Sequence, residues 1–325
     1  MRGFSAGAGA CAFGAGGAAE REVWYNNLKP AAYVAARISC ADALSRMGLR
    51  TLNHAKPQQA RFCWGRFAAE IFDLPGGIPL QLFDAHMHYS DTHGPAFDAV
   101  RERHGVGACT LACIPQMGVC STVPDALYYK AVHPEGTVYV MGGLERSAWF
   151  LHEGDAAALG EDLVAQAGAL LAAGCDGIKL LEGKPDIRRN FPIPDFDTPA
   201  WEPFWRWAEE QRVPILWHVN DPEEFWDASR INPYAKSEGW FYGPETINNE
   251  EQYRQVFAVL ACHPGLRLQL AHLFFFSAQL PRLSALLRRY PEVRVDLTPG
   301  IELYTNLAGD IPAARAFFEE FGTRI

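Results

Sequence analysis

The sequence predicts an α/β protein, a parallel (β/α)8 TIM-type barrel that stops short of its eighth strand. Three observations carry this reading. From residue 78 onward, short apolar runs alternate seven times with helical patterns, which implies a parallel sheet with covering helices. No glycine-rich phosphate loop follows the first run, which argues against an open nucleotide-binding sheet. Three of the runs end in histidine, at His88, His218 and His272, where a barrel builds its active site.

Residues 1–77 read as an irregular N-terminal arm, and 78–325 as the barrel. Residues 3–19 are mostly Gly and Ala, without period or apolar face, and such a segment cannot bury a core. It lacks the strongly apolar centre of a secretory signal. Its Arg content and few acids fit an organelle transit peptide better, and a plain disordered arm better still. One helix over 31–50 is expected from Ala31, Val34, Ala35, Leu44 and Met47.

The first strand, 78–88, closes on His86-Met87-His88 and is followed by a helix near 94–104. The second strand is 108–114, with a helix near 124–132. The third, 137–144, leads into a long Ala/Leu-rich helix over 155–173 that Gly174 terminates. The fourth, 177–181, precedes a Trp-rich helix over 199–211. The fifth, 214–219, contains His218 and opens a long loop before a helix over 247–262. The sixth, 266–272, ends on His272 and is followed by a helix over 279–289. The seventh, 293–297, carries Asp296 and leads to a helix over 309–320. Arg324 and Ile325 read as the start of an eighth strand. A seven-stranded barrel would leave two open edges, so a fragment, or closure by the arm or by a partner, is expected.

Composition narrows the function. Hydrophobic residues make up 49% of the chain, enough for a large core. The net charge of −9 argues against nucleic acid or an anionic membrane as partner. Residues 1–70 nevertheless hold nine Lys and Arg against four Asp and Glu. No apolar run is long enough to span a bilayer. The eight cysteines lack CxxC or zinc-site spacing, as expected of reduced thiols in a cytoplasmic protein. The expected partner is a small-molecule substrate, and a homo-oligomer is compatible with the sequence.

Alternate residues of a strand share a side, so Asp84, His86 and His88 project together. Two imidazoles side by side at a strand end suit a divalent metal. A lone HxH equally describes two unrelated surface histidines; His218 and His272 at later strand ends shift the balance.

With those histidines in register, the segment from about 80 to 325 resembles the amidohydrolase superfamily, in its branch of metal-dependent hydrolases and non-oxidative decarboxylases. The resemblance implies that His86, His88 and His218 bind a divalent metal, usually zinc. It implies that His272 binds a second metal or orients substrate and water. It also makes Lys179 and Glu182 on the fourth strand candidates for an added catalytic or ligating role. These two differ in strand parity, so both face inward only if the chain bends after Leu181. The family's Asp at the end of strand eight has no counterpart here. Asp296 is a candidate substitute, although a solvated or core-satisfied carboxylate is the simpler reading.

Three imidazoles leave zinc an open position, where a bound water loses its proton near neutral pH. A nearby carboxylate would take that proton and His272 would stabilise charge on the substrate oxygen. The expected activity is hydrolysis of a C–N or C–O bond. The alternatives are a carboxy-lyase on the same scaffold and a non-catalytic barrel. The loop 220–246 is aromatic through Phe225, Trp226, Tyr234, Trp240, Phe241 and Tyr242, and serves as a lid or packs onto the barrel. Arg188 and Arg189 are candidate carboxylate binders, though exposed, unpaired arginines are the simpler expectation. Asn220 and Asp221 are expected to support His218. Glu302, after the seventh strand, is expected at the barrel mouth.

Overall fold

Parallel pairing orders the described residues. The computed structural model describes residues 82–89, 94–114, 122–298 and 302–325. The boundary of the arm, the helix expected over 31–50, the start of the first strand and Pro299-Gly300 lie outside the described residues. Seven strands form one sheet in the order β1 to β7, each hydrogen-bonded in parallel to the next. They are β1 Leu82–His88, β2 Val106–Ala112, β3 Val138–Gly143, β4 Gly177–Gly183, β5 Ile215–Val219, β6 Leu268–Leu270 and β7 Arg294–Val295. The sheet curls into a TIM-barrel-like half-barrel. Its first and last strands face one another: Gln269 Nε2, on β6, donates to the Ala85 carbonyl of β1 at 2.9 Å, and to Asp296 Oδ2, just past β7, at 3.0 Å.

The helices follow the apolar pattern. They are α1 Gly94–His104, α2 Val123–Val132, α3 Ser147–Leu151, α4 Ala156–Ala172, α5 Pro185–Asn190 and α6 Glu202–Glu210, then α7 Pro233–Ser237, α8 Asn249–Cys262, α9 Leu280–Arg289, α10 Leu303–Gly309 and α11 Ile311–Phe321. Their starts are marked by polar caps: Asp155 accepts from Ala158 N, Asn248 from Glu250 N and Asp310 from Ala313 N. The short helices α3, α5, α7 and α10 have too few residues to show a period, and the sequence reading passes over them. No described helix is long and apolar enough to cross a membrane.

Two larger apolar clusters hold the fold. One gathers Phe97, Cys109, Leu111, Val123, Tyr129, Val138 and Val140 from β1–β3 and their helices. The other spans β4–β7 and includes Trp149, Trp201, Trp205, Trp217, Phe274 and Phe318. A small third cluster, Ala112, Met141, Leu216 and Ala271, comes from alternate positions of the inner sheet face. Leu216 lies two residues before His218 on β5, so this cluster forms the layer beneath the site.

The chain does bend in β4. Its register with β5 slips between Leu180 and Gly183, and both Lys179 and Glu182 are buried. Gly183 permits the close approach, since a Cβ there would stand 2.4 Å from the His218 carbonyl oxygen. The residues read as an eighth strand are otherwise arranged. Gly322–Arg324 forms a 3-10 turn, and the Arg324 guanidinium donates to Leu287 O at 2.7 Å. Binding those carbonyls at the end of α9 satisfies orphan acceptors that an extended strand would leave unpaired.

Candidate metal-binding active site

Histidines from three strand ends meet at the C-terminal mouth. His86 is buried on β1. Its Nδ1 lies 3.2 Å from Asp296 Oδ2. A carboxylate only accepts, so the network assigns the proton to Nδ1 and leaves a bare lone pair on Nε2. His272 Nδ1 lies 3.0 Å from the Thr298 carbonyl, which leaves its Nε2 bare as well. That nitrogen is 3.2 Å from His218 Nδ1. His88 stands exposed on the rim with its Nε2 3.2 Å from His86 Nε2.

These separations fit a cation. Two nitrogens on one tetrahedral zinc, each bonded at about 2.0–2.1 Å, stand about 3.3 Å apart. His218 strengthens the case. Its Nε2 is buried without a hydrogen bond, 3.4 Å from Asp221 Oδ1 but out of alignment. If Nδ1 carries the proton, Nε2 is a bare orphan; if Nε2 carries it, two bare nitrogens face each other. Either tautomer leaves a lone pair without a donor. One donor atom from each of His86, His272 and Asp296 also lies within 4.8 Å of the others. The donor set of imidazoles and a carboxylate suits a divalent metal ion.

Electrostatics keeps the donors available. Burial lowers the imidazole pKa values of His86, His218 and His272 to about 4, so all three are neutral near pH 7. Burial would raise the pKa of Asp296. It is instead held well below the usual carboxylate range by His86 and by the backbone N–H of His272. Lys179 is fully buried, which lowers its ammonium pKa to about 8 against the pull of Asp296 and Glu182. Its Nζ is 3.2 Å from His86 Nε2.

Glu182 lies outside this group. Its Oε2 accepts from Leu181 N at 2.8 Å, and burial raises its pKa. Asp221 reaches His218 as expected, and its other oxygen takes Lys184 Nζ at 2.9 Å and the Tyr242 hydroxyl. Asn220 instead accepts from Gln252 Nε2 and donates to the Asn249 carbonyl. Arg188 is neither exposed nor free, because it binds Gln255 and Asp195 across Phe196. The aromatic loop packs on itself around Phe225, Ile231 and Tyr242.

The sequence reading of Asp296 as a core-satisfied carboxylate agrees with its hydrogen bonds, and its contact with His86 and the role of Gln269 beside it are what that reading passed over. The available signal was position: Asp296 and Gln269 stand on or just beyond the C-terminal half of a barrel strand. Glu302, expected at the mouth, is also notable. Both its carboxyl oxygens are buried without a hydrogen bond, and burial raises its pKa to about 7.

No protein-family model matches the chain, and no curated protein matches it. Solved structures do, and among them are proteins described as amidohydrolases. An uncharacterised TIM-barrel protein from Bordetella bronchiseptica is 13% identical with a TM-score of 0.46; the match covers 70% of this chain and 64% of that one. The chain thus spans less than two thirds of that protein's length. A protein described as a 2-pyrone-4,6-dicarboxylic acid hydrolase from Pseudomonas putida is 18% identical, with a TM-score of 0.41 and coverage of 75% and 80%. A 2,6-dihydroxybenzoate decarboxylase from Rhizobium is 14% identical, with a TM-score of 0.38 and coverage of 73% and 91%.

Proposed function

We propose that the chain is a metal-dependent hydrolase of the amidohydrolase superfamily, cleaving a C–N or C–O bond of a small molecule. The observation that carries this reading is the convergence of imidazole nitrogens from β1, β5 and the end of β6, with His218 Nε2 buried there without a hydrogen bond. His86, His88 and His218 would hold the ion, with His272 and Asp296 beside them. Bound there, a zinc-type ion would polarise the substrate carbonyl and acidify water.

The residues themselves divide the remaining work. Asp296 is too weak a base to accept a proton near pH 7, so its task is to fix the His86 tautomer. Lys179, cationic below about pH 8, stabilises negative charge developing on the substrate oxygen. Four described cysteines are unpaired, in keeping with a cytoplasmic setting.

One observation favours a second reading. The buried Lys179 ammonium is a proton source inside the site, which a carboxy-lyase needs to protonate carbon before carbon dioxide leaves. Elemental analysis tests the shared premise. The purified chain should carry about one metal ion, and the His86→Ala, His218→Ala double variant none. Undiminished metal in the double variant would remove the site. Carbon dioxide release from aromatic acids would then select the lyase over the hydrolase.

A further inference from the structure

We infer, resting on the metal-centre reading of the barrel mouth, that Tyr242 and Lys184 are positioning residues for His218. They act through Asp221, and so tie the aromatic loop between β5 and α8 to the ion site. His218 Nε2 lies 3.4 Å from Asp221 Oδ1. The other oxygen of that carboxylate, Oδ2, accepts from Lys184 Nζ at 2.9 Å and from the Tyr242 hydroxyl. Lys184 Nζ also donates to the Tyr242 hydroxyl oxygen at 3.3 Å, which closes a triangle of polar contacts. Asp221 and Tyr242 are buried, and Lys184 is partly buried. The three residues come from separate places in the chain. Lys184 caps α5 directly after β4, Asp221 follows β5, and Tyr242 lies far along the loop.

The loop in turn fixes Tyr242. Its backbone N–H donates to the Phe225 carbonyl at 2.9 Å, and its ring stands 4.7 Å from that of Trp226. Phe225, Ile231 and Ala235 pack with it in one apolar cluster. Lys184 is held from two further sides, with its Nζ 4.9 Å from the centre of the Trp240 ring and 3.2 Å from Asp186 Oδ1. The Asp221 carboxylate is therefore gripped by groups whose own places the loop and the start of α5 determine.

This grip decides which His218 nitrogen faces the ion. A carboxylate paired with an ammonium only accepts. A bare Nε2 would set its lone pair against Asp221 Oδ1, whereas a proton on Nε2 makes that contact attractive. The Nε2–H form leaves Nδ1 bare, 3.2 Å from His272 Nε2. The His272 nitrogen is bare too, since its Nδ1 faces the Thr298 carbonyl. Two bare imidazole nitrogens at this spacing are what a shared cation joins. Asp221 enforces the choice only while its carboxylate plane is fixed, and the donors on Oδ2 fix it. Such coupling is reciprocal, so an ion at Nδ1 also favours the anchored loop.

Proton–nitrogen correlation spectra of the full chain, labelled in its histidine ring nitrogens and stripped of metal, read the His218 tautomer directly. The His218 signal is identified by its loss in His218→Gln. The wild type should carry the proton on Nε2. Tyr242→Phe keeps the ring and its packing but removes one donor from Asp221. It should bring the Nδ1–H form into view and weaken zinc about tenfold in competition with a chelating dye. Lys184→Met removes the other donor and should act in the same direction; it decides the matter if Tyr242→Phe does not fold. A residue that merely packs the loop would leave the tautomer alone. A proton on Nδ1 in the wild type, or a tautomer or zinc affinity unchanged in the folded variants, would overturn the inference. A wild type that binds no zinc yet shows a Tyr242-dependent Nε2–H sinks the metal reading alone. Zinc bound equally tightly by the wild type and both variants sinks this inference alone.

Discussion

Asp296 links more of the site than any histidine does. It accepts from His86 Nδ1, Gln269 Nε2, His272 N and Thr298 N, and so ties β1, β6 and β7 together. Asp296→Asn replaces one acceptor oxygen with a donor, and His86 can no longer keep its proton on Nδ1 against both atoms. Metal affinity should fall by about 10–100-fold, read by competition with a chelating dye; unchanged affinity would show that the carboxylate does not orient His86. Sequence parity could place Asp296 near the mouth but could not show that the sheet curls far enough to bring it to His86. That contact spans 210 positions and depends on every intervening strand. Glu302 gives a second prediction. Its pKa is raised from 4.5 to about 7, by burial and then by Glu224 and Asp221 nearby. The folded state therefore holds this proton more tightly than the unfolded chain does. Its contribution to stability is full below about pH 4.5 and is lost as pH rises through about 7. Glu302→Gln should flatten that limb, so that above pH 7 the variant is more stable than the wild type by roughly 2–3 kcal/mol. Denaturant melts across this range that run parallel for the two proteins would contradict the assignment.

The turn after β6 shows where strand reading reached its limit. The apolar pattern carries the sixth strand through His272, whereas the strand is Leu268–Leu270 and His272 opens a left-handed turn. Four consecutive residues, His272, Leu273, Phe274 and Phe275, have φ between 51° and 58°. Each non-glycine residue so placed costs about 1–2 kcal/mol. Compensation is visible locally. Leu273, Phe274 and Phe276 are buried in the larger core, and Leu273 N donates to the Asp296 carbonyl at 2.9 Å. The turn aims the His272 ring at His218, a result no local propensity encodes, because isolated L-residues avoid this conformation. Phe275 is only half-buried and suits a test. Glycine ordinarily destabilises relative to alanine. At position 275 the order should invert, with Phe275→Gly more stable than Phe275→Ala by about 1 kcal/mol. Alanine the more stable in paired urea melts would mean that the turn is not left-handed in solution. The helices α1, α2, α4, α8 and α9, by contrast, lie within one or two residues of their sequence-based spans, since each has a long apolar face and clear ends.

Among the described residues, the site joins two halves whose main apolar clusters are separate, bridged by the β3–β4 pairing and by the small cluster of Ala112, Met141, Leu216 and Ala271. His86 and His88 belong to the β1–β3 side, whose core is built around Leu111, Tyr129 and Val140. His218, His272 and Asp296 belong to the β4–β7 side, with the larger tryptophan-rich core. Direct links from β1 to the far side are few and polar: His86 with Asp296 and Lys179, Gln269 with Ala85, and Thr298 with the His86 carbonyl at 3.4 Å. The smaller half buries less apolar surface, so it should open first in local unfolding. An ion held jointly by histidines of both halves binds only when they are together, and it stabilises that state by RT ln(1 + [L]/Kd), about 2.7 kcal/mol at a hundredfold excess over Kd. Hydrogen exchange read by mass spectrometry should therefore show the largest slowing on zinc addition in β1 and β2, with α8 and α9 little changed. His86→Ala should abolish the effect without altering exchange in α9. Uniform protection of the whole chain would mean that the ion acts on global stability alone. Protection confined to β5 and β6 would mean that it is held without β1. Either pattern would refute a metal centre that spans the two halves, and only slowing centred on β1 is compatible with histidines of both halves gripping one ion.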